Sequence, residues 1–288
     1  MIAKLAELHP TAAAPAPGVG PAFSLPASAF TFEGFHRWRV QVGDIDLAKV
    51  SFKGGAITIE DQARGTRFSI PPSALSPAGF RDWVFTGDYP PRGRVEYIGG
   101  EIYIDMNSEA IQTHAKVKIE ITTQINVLVT RNNLGLVYPD GTLVVNQIAD
   151  VSNEPDACFC SWESLQTLRV RESPKPGRDD GEALCLEGSV DWVLEVISKS
   201  SVGKDNRILK EKYFRAGVRE YCMIDAREGG IEFGVFSPGK TKFSEQAHRG
   251  GWVASPLFQR KFSLQRRDYQ GFWRFELLVA PIRQARKA

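Results

Sequence analysis

The chain has 288 residues, a formal net charge of +2 and 42% hydrophobic residues. That length holds one large domain with appendages or two small ones, and the apolar share is that of a folded chain with a real core. No run approaches the eighteen or so uninterrupted apolar residues of a membrane span, and the four cysteines, Cys158, Cys160, Cys185 and Cys222, lack zinc-ligand spacing. Buried, reduced thiols in a cytoplasmic protein are expected.

Residues 1–28 form an Ala/Pro/Gly-rich stretch without an apolar signal core and read as a disordered tail. From 29 to 75, apolar and polar residues alternate around Phe30, Phe32, Phe35, Trp38 and Val40, then Val50 and Phe52, then Ile57 and Ile59. With turns at Gly43-Asp44 and Gly54-Gly55, this predicts a β-rich extension. Ser76-Pro77 opens a short helix with Phe80, Trp83 and Val84 on one face. Residues 94–104 predict a hairpin about Gly99-Gly100. Asn107 or Ser108 is the expected cap of a long helix to about Asn133, with Ile111, Ala115, Lys118, Thr122, Ile125 and Val129 along one stripe. Strands follow near 136–146, 155–160 and 189–197. A helix from Asp205 to Ala216, stopped by Gly217, leads into strands at 220–225 and 231–236. The core therefore spans 76–237, and 238–288 forms a β-rich C-terminal extension.

Two carboxylates stand out because each lies in an apolar, strand-like run: Asp156 after Glu154-Pro155, and Glu195 within Trp192-Val193-Leu194-Glu195-Val196-Ile197-Ser198. A charge in such a run requires a partner. Two acids at neighbouring strand positions make a hard oxygen site suited to Mg²⁺ or Mn²⁺, which points to a metal-dependent phosphodiesterase. As purely structural residues, Asp156 would be a strand-start turn residue and Glu195 half of a buried ion pair. His114 falls on the inward stripe of the long helix, either as a packing residue or as a group supporting the ligands from behind. Ser198-Lys199-Ser200-Ser201 would bind phosphate oxygens or cap the next helix, and Pro139-Asp140-Gly141 reads as a turn.

From Lys240 to the end the chain carries eleven basic residues against three acidic ones, a local charge of +8. Aromatic residues, among them Phe243, Trp252, Phe258, Phe262, Tyr269, Phe272 and Trp273, are interleaved there, so the segment could follow a phosphate backbone and stack on bases. Arg266 and Arg267 are the expected nucleic-acid contacts. A basic face that is merely wetted, above packed rings, is the alternative.

The order of helix, three strands, helix and strand, together with a series of phrases, resembles the Uma-two family of bacterial restriction endonuclease-like proteins in the PD-(D/E)xK superfamily. The phrases are Arg94-Val95-Glu96-Tyr97-Ile98-Gly99-Gly100-Glu101, His114, Pro155-Asp156, Leu194-Glu195-Val196-Ile197-Ser198, and Tyr213-Phe214-Arg215-Ala216-Gly217-Val218-Arg219-Glu220-Tyr221-Cys222-Met223-Ile224-Asp225. The resemblance implies an α/β fold with a restriction endonuclease-like core, a mixed central sheet flanked by helices. It implies Asp156 and Glu195 as metal ligands, the carbonyl of Val196 as a third oxygen, and Glu96 nearby to hold a second ion or orient water. The sequence departs from the pattern at the lysine. Ile197 stands two residues past the second acid, and Leu209 at the position in the following helix where this family usually carries it. Lys204 and Lys212 are the remaining candidates.

The expected function is Mg²⁺- or Mn²⁺-dependent hydrolysis of nucleic acid, DNA before RNA, with no membrane partner and with a homodimer compatible. A catalytically inactive nuclease-fold protein that binds nucleic acid or a protein partner is the alternative, and hydrolysis of another phosphoester is a third reading.

Overall fold

The structure is a computed structural model that describes residues 20–174, 182–198, 204–227 and 230–282. Strand β1 (Ala22–Pro26) is followed by helix α1 (Phe32–Val42) and strands β2 (Ala48–Lys53), β3 (Ala56–Asp61) and β4 (Thr66–Ile70). Helix α2 (Pro77–Val84) leads to β5 (Arg94–Ile98) and β6 (Glu101–Asp105), after which a π-helical turn (Ile111–Ala115) runs into α3 (Lys116–Arg131). Next come β7 (Gly135–Pro139), β8 (Leu143–Asn146), β9 (Val151–Asn153), β10 (Ala157–Ser161), α4 (Trp162–Gln166), β11 (Val170–Pro174), β12 (Ala183–Gly188) and β13 (Trp192–Val196). A second π-helical turn (Lys204–Leu209) continues as α5 (Lys210–Arg215). The strands β14 (Glu220–Asp225), β15 (Glu232–Pro238), β16 (Phe243–Glu245), β17 (His248–Arg249), β18 (Trp252–Ser255), β19 (Arg260–Tyr269) and β20 (Phe272–Pro281) complete the chain.

Two large sheets organise these elements. The first runs β1-β6-β5-β9-β8-β12-β11, and the second β16-β15-β14-β13-β10-β7. In the second sheet β13 and β14 are parallel, joined by the segment containing α5, while β13, β10 and β7 pair antiparallel. The expected series is thus present as α3, β7, β10, β13, α5 and β14, a mixed sheet flanked by helices. Residues 136–146 do not make one strand, because the chain turns at Pro139-Asp140-Gly141 and sends β8 to the first sheet.

Three apolar layers alternate with the sheets. One face of the first sheet packs on α1, α2 and the β2-β3-β4 sheet, through residues such as Trp38, Ile57, Phe80 and Ile102. Its other face meets the second sheet and α5, through Ile98, Val144, Cys158, Val193, Leu209 and Tyr221. The far face of the second sheet carries α3 and the four-stranded β17-β18-β19-β20 sheet. Since successive strand residues face opposite sides, Glu96, between Val95 and Tyr97, and Glu195, between Leu194 and Val196, both project into the layer between the two large sheets.

The structure corrects several expectations. Residues 22–26 are not part of a disordered tail: β1 pairs antiparallel with β6, while residues 1–19 lie outside the described residues. Residues 32–42 form a helix rather than strands. Thr31 caps it by accepting from the Gly34 N–H, and Phe35 and Trp38, three apart, are its buried face. The β2-β3-β4 meander matches the expected antiparallel strands. Neither Asn107 nor Ser108 caps the long helix. The Asn107 side chain instead accepts from the Gly20 N–H at 3.0 Å, and the N-cap position is Ala110. Ile111 is 68% exposed, because the π turn rotates it off the stripe formed by Val117, Ile121, Ile125, Leu128 and Val129. All four cysteines are buried and unpaired. Among the described residues, no helix is long and apolar enough to cross a membrane.

Candidate active site

Asp156 immediately precedes β10, and its N–H donates to the carbonyl of Leu194 across the antiparallel pair with β13, which sets it beside Glu195. Both side chains are buried, each 1% exposed. Asp156 is the more heavily partnered. Its Oδ2 accepts from the Val196 N–H at 2.7 Å and lies 3.4 Å from His114 Nε2, and its Oδ1 accepts from Arg94 Nη2 at 3.0 Å with Lys118 Nζ at 3.9 Å. Burial pushes this carboxyl up, but Arg94, His114, the Val196 N–H and Lys118 together outweigh it and hold the group below the usual carboxylate range.

Glu195 lies in the opposite electrostatic regime. Burial first, then the nearby carboxylates of Asp205 and Asp156, push it well above its ordinary value, and Lys204 and Arg94 only partly offset them. The Tyr213 hydroxyl donates to Glu195 Oε1 at 2.6 Å and accepts from Asn153 Nδ2 at 2.6 Å, so one carboxylate oxygen is fixed from behind by a hydrogen-bond chain reaching both sheets. Two neighbouring acids are thus held in opposite protonation regimes, the arrangement that acid–base sites use.

Glu96, 2% exposed on β5, completes the group from the first sheet. Lys204 Nζ donates to its Oε2, while Glu96 Oε1 is buried without a hydrogen-bond partner. Burial disfavours the Lys204 ammonium, yet Glu96 and Asp205 raise its pKa by more than burial lowers it. Lys212 is elsewhere: its Nζ lies 3.8 Å from Asp150 Oδ2, against the Gly99 turn, and pairs with none of Asp156, Glu195 and Glu96. Ile197 and Leu209, at the two positions where a lysine would stand, are both buried, 1% and 0% exposed.

Further charged groups, not singled out in the sequence, surround Asp156. Glu109 and Asp140 both accept from Lys118, at 2.5 and 2.8 Å, and Asp140 also accepts from Arg94 at 3.1 Å. His114 Nδ1 lies 3.6 Å from Glu109 Oε2. This imidazole, and after it the Lys118 ammonium, outweigh burial and hold Glu109 down to about 2. Glu154 is pushed the other way by burial, to about 6. Some signals were available: Arg94 opens the hairpin phrase, Asp140 belongs to the second Pro-Asp pair, and Lys118 is the one charge on the inward stripe of the long helix.

The donor set suits a hard divalent cation. It consists of carboxylate oxygens and one imidazole, and the unpartnered Glu96 Oε1 leaves a buried acceptor to be satisfied. Glu109, His114 and Asp156 each offer a ligand atom within 4.8 Å of the others. Val196 meets this group through its N–H, which occupies Asp156 Oδ2. Arg266 and Arg267 lie outside the cluster on β19, with the Arg266 guanidinium 4.2 Å above the Trp273 ring and Arg267 Nε 3.6 Å from Glu276 Oε2. Of the Ser198–Ser201 cluster, residues 199–201 lie outside the described residues.

A family model described as "Uma2: Putative restriction endonuclease" matches residues 80–267. The chain belongs to the Uma2 family. The matched span includes every residue of the acidic cluster and reaches into β19. Among solved structures, the Uma2 chain is similar to the crystal structure of "a putative nuclease belonging to DUF820" from Anabaena variabilis. The two share 19% identity over 57% of this chain and 82% of that chain, with a TM-score of 0.43. No curated protein matches.

Proposed function

We propose that this chain is a metal-dependent nuclease that hydrolyses phosphodiester bonds of nucleic acid, with DNA as its substrate. The observation that carries the reading is the meeting of Glu96, Asp156, Glu195 and Lys204 in one buried group, although they come from separate stretches of sequence. Four ionisable side chains in an apolar layer are costly to a fold that has no use for them.

In this reading Asp156 and Glu195 hold Mg²⁺ or Mn²⁺, with the Val196 carbonyl and Glu96 Oε1 as further oxygens. When bound, the cation neutralises charge on the scissile phosphate and lowers the pKa of a coordinated water. Tyr213 orients Glu195. Lys204, kept protonated by Glu96 and Asp205, contributes positive charge beside the attacked phosphate and does not serve as the base. Arg94, Lys118 and His114 surround Asp156 with donors suited to phosphate oxygens. The family description supports an endonuclease, and Lys204 at Glu96 favours the active enzyme over an inactive binding protein because it supplies the cation that Ile197 and Leu209 cannot.

The test is incubation of the purified chain with plasmid DNA, single-stranded DNA and RNA in Mg²⁺ or Mn²⁺. Cleavage that requires the metal, stops in EDTA and is abolished in folded Glu195→Gln is expected. A folded wild type that cleaves none of them in either metal, or a Glu195→Gln variant as active as the wild type, would contradict the proposal.

A further inference from the structure

We infer that the tip of the β19–β20 hairpin is a stacking platform for unpaired nucleotides, set beside the N-terminal end of α3. The strand register pairs Tyr269 with Phe272 and Arg267 with Arg274. Pairs two residues apart share a face, so these four side chains stand together. The opposite face carries Leu264, Phe275 and Leu277, which are buried in the layer beneath the second sheet. The four-residue group therefore points outward, with Tyr269 66% and Phe272 68% exposed.

Nothing in the fold requires this arrangement. Two arginines directly opposed across a ladder repel one another, and two large rings at a hairpin tip gain little from folding when they remain in water. Arg267 has one exposed ion pair, at 3.6 Å with Glu276, and Arg274 has none among the described residues. A nucleic-acid strand resolves both features, since its bases cover ring faces and its phosphates lie between the cations. The bases must be unpaired, because in a duplex their faces are already stacked.

The position of the tip connects it with the neighbouring site. Lys116 Nζ donates to the Trp273 carbonyl at 3.0 Å, and Leu277 N–H donates to Glu120 Oε1 at 2.9 Å, which anchor β20 along α3. Lys116 is two residues from both His114 and Lys118, the two groups of this helix that reach Asp156. A strand stacked on Tyr269 and Phe272 thus lies along the N-terminal end of α3, the end of the helix whose other side carries His114 and Lys118 to Asp156. The inference names a substrate class for the nuclease proposed above and rests on that reading for its biological meaning, but binding is measured without catalysis.

The experiment is fluorescence anisotropy of the full chain in EDTA with a short labelled single-stranded DNA, the RNA of the same sequence and the blunt duplex. Sedimentation with phosphatidylserine vesicles is run in parallel. The single strand, as DNA or RNA, is expected to bind about tenfold or more tighter than the duplex. Tyr269→Ala/Phe272→Ala should weaken it by about tenfold with little change in salt dependence. Arg267→Gln/Arg274→Gln should flatten the log–log salt slope by roughly one for each phosphate left without its arginine. All four positions are at the surface, so both variants should keep the wild-type melting temperature within a few degrees. Preference for the duplex, unchanged affinity of the ring variant, or vesicle binding in place of oligonucleotide binding would overturn the inference. A wild type that binds in this way yet never cleaves would remove the nuclease reading and leave the platform standing.

Discussion

Lys204 and Lys212 belong to one helical segment, yet their surroundings assign them different work. Lys204 is 11% exposed and bonded to the 2% exposed Glu96, whereas Lys212 reaches a half-exposed Asp150 at 3.8 Å. Lys204→Met leaves Glu96 buried without a counter-charge and should destabilise the protein by about 3–5 kcal/mol in urea titrations. Lys212→Met should cost under about 1 kcal/mol, as for an outlying ion pair. At temperatures where both variants are folded, metal-dependent cleavage should fall about a hundredfold or more in the first and stay near wild type in the second; the reverse ranking would make Lys212 the displaced lysine. Sequence spacing left the two equivalent. The choice depends on Glu96 arriving from a different sheet, and no helical periodicity contains that contact.

At the scale of elements, the joint between β14 and β18 carries a titration of its own. Glu220, the first residue of β14, is fully buried, accepting from Ser255 Oγ at 2.6 Å and from the Leu257 N–H at 3.2 Å. Burial, only partly offset by these two donors, pushes its carboxyl up to about 7. Because the folded value lies above the unfolded one, its contribution to stability is fully present below about pH 4.5 and is lost as pH rises from there through about 7, a difference of about 3 kcal/mol. Glu220→Gln should remove that part of the pH dependence when unfolding is followed across the series; parallel curves for the two proteins would show that Glu220 does not titrate there. Elements with several agreeing signals were legible in the sequence: the Gly99-Gly100 hairpin, the Ser76-Pro77 helix, the strand that follows Asp156 and the strand bearing Glu195. Helix α1 was not, because Phe30, Phe32, Phe35, Trp38 and Val40 mix periods. Phe32 and Val40 suggest alternation but are 62% and 84% exposed, and only the Phe35–Trp38 spacing reflects the buried face. The π turn before α3 was equally hidden, since one extra residue per turn shifts the stripe without leaving a compositional mark.

Over the whole molecule, the two large sheets act as jaws around a charged layer. The second sheet supplies Asp156 and Glu195, the first supplies Glu96 and Asn153, and the helical segment 204–215 between β13 and β14 supplies Lys204 and Tyr213. The two acids of the second sheet could be read from sequence because charge inside apolar runs is conspicuous. Arg94, Lys118 and Asp140 left only positional marks in the sequence, and their convergence on Asp156 depends on the elements that bring them together. The C-terminal sheet packs with α3 on the far face of the second sheet, outside this layer. Titration calorimetry of Mn²⁺ into the wild type, Asp156→Asn and Glu195→Gln tests the central claim most directly. The account predicts saturable binding by the wild type that both variants lose while remaining folded; equal binding by all three, or none by the wild type, would contradict it.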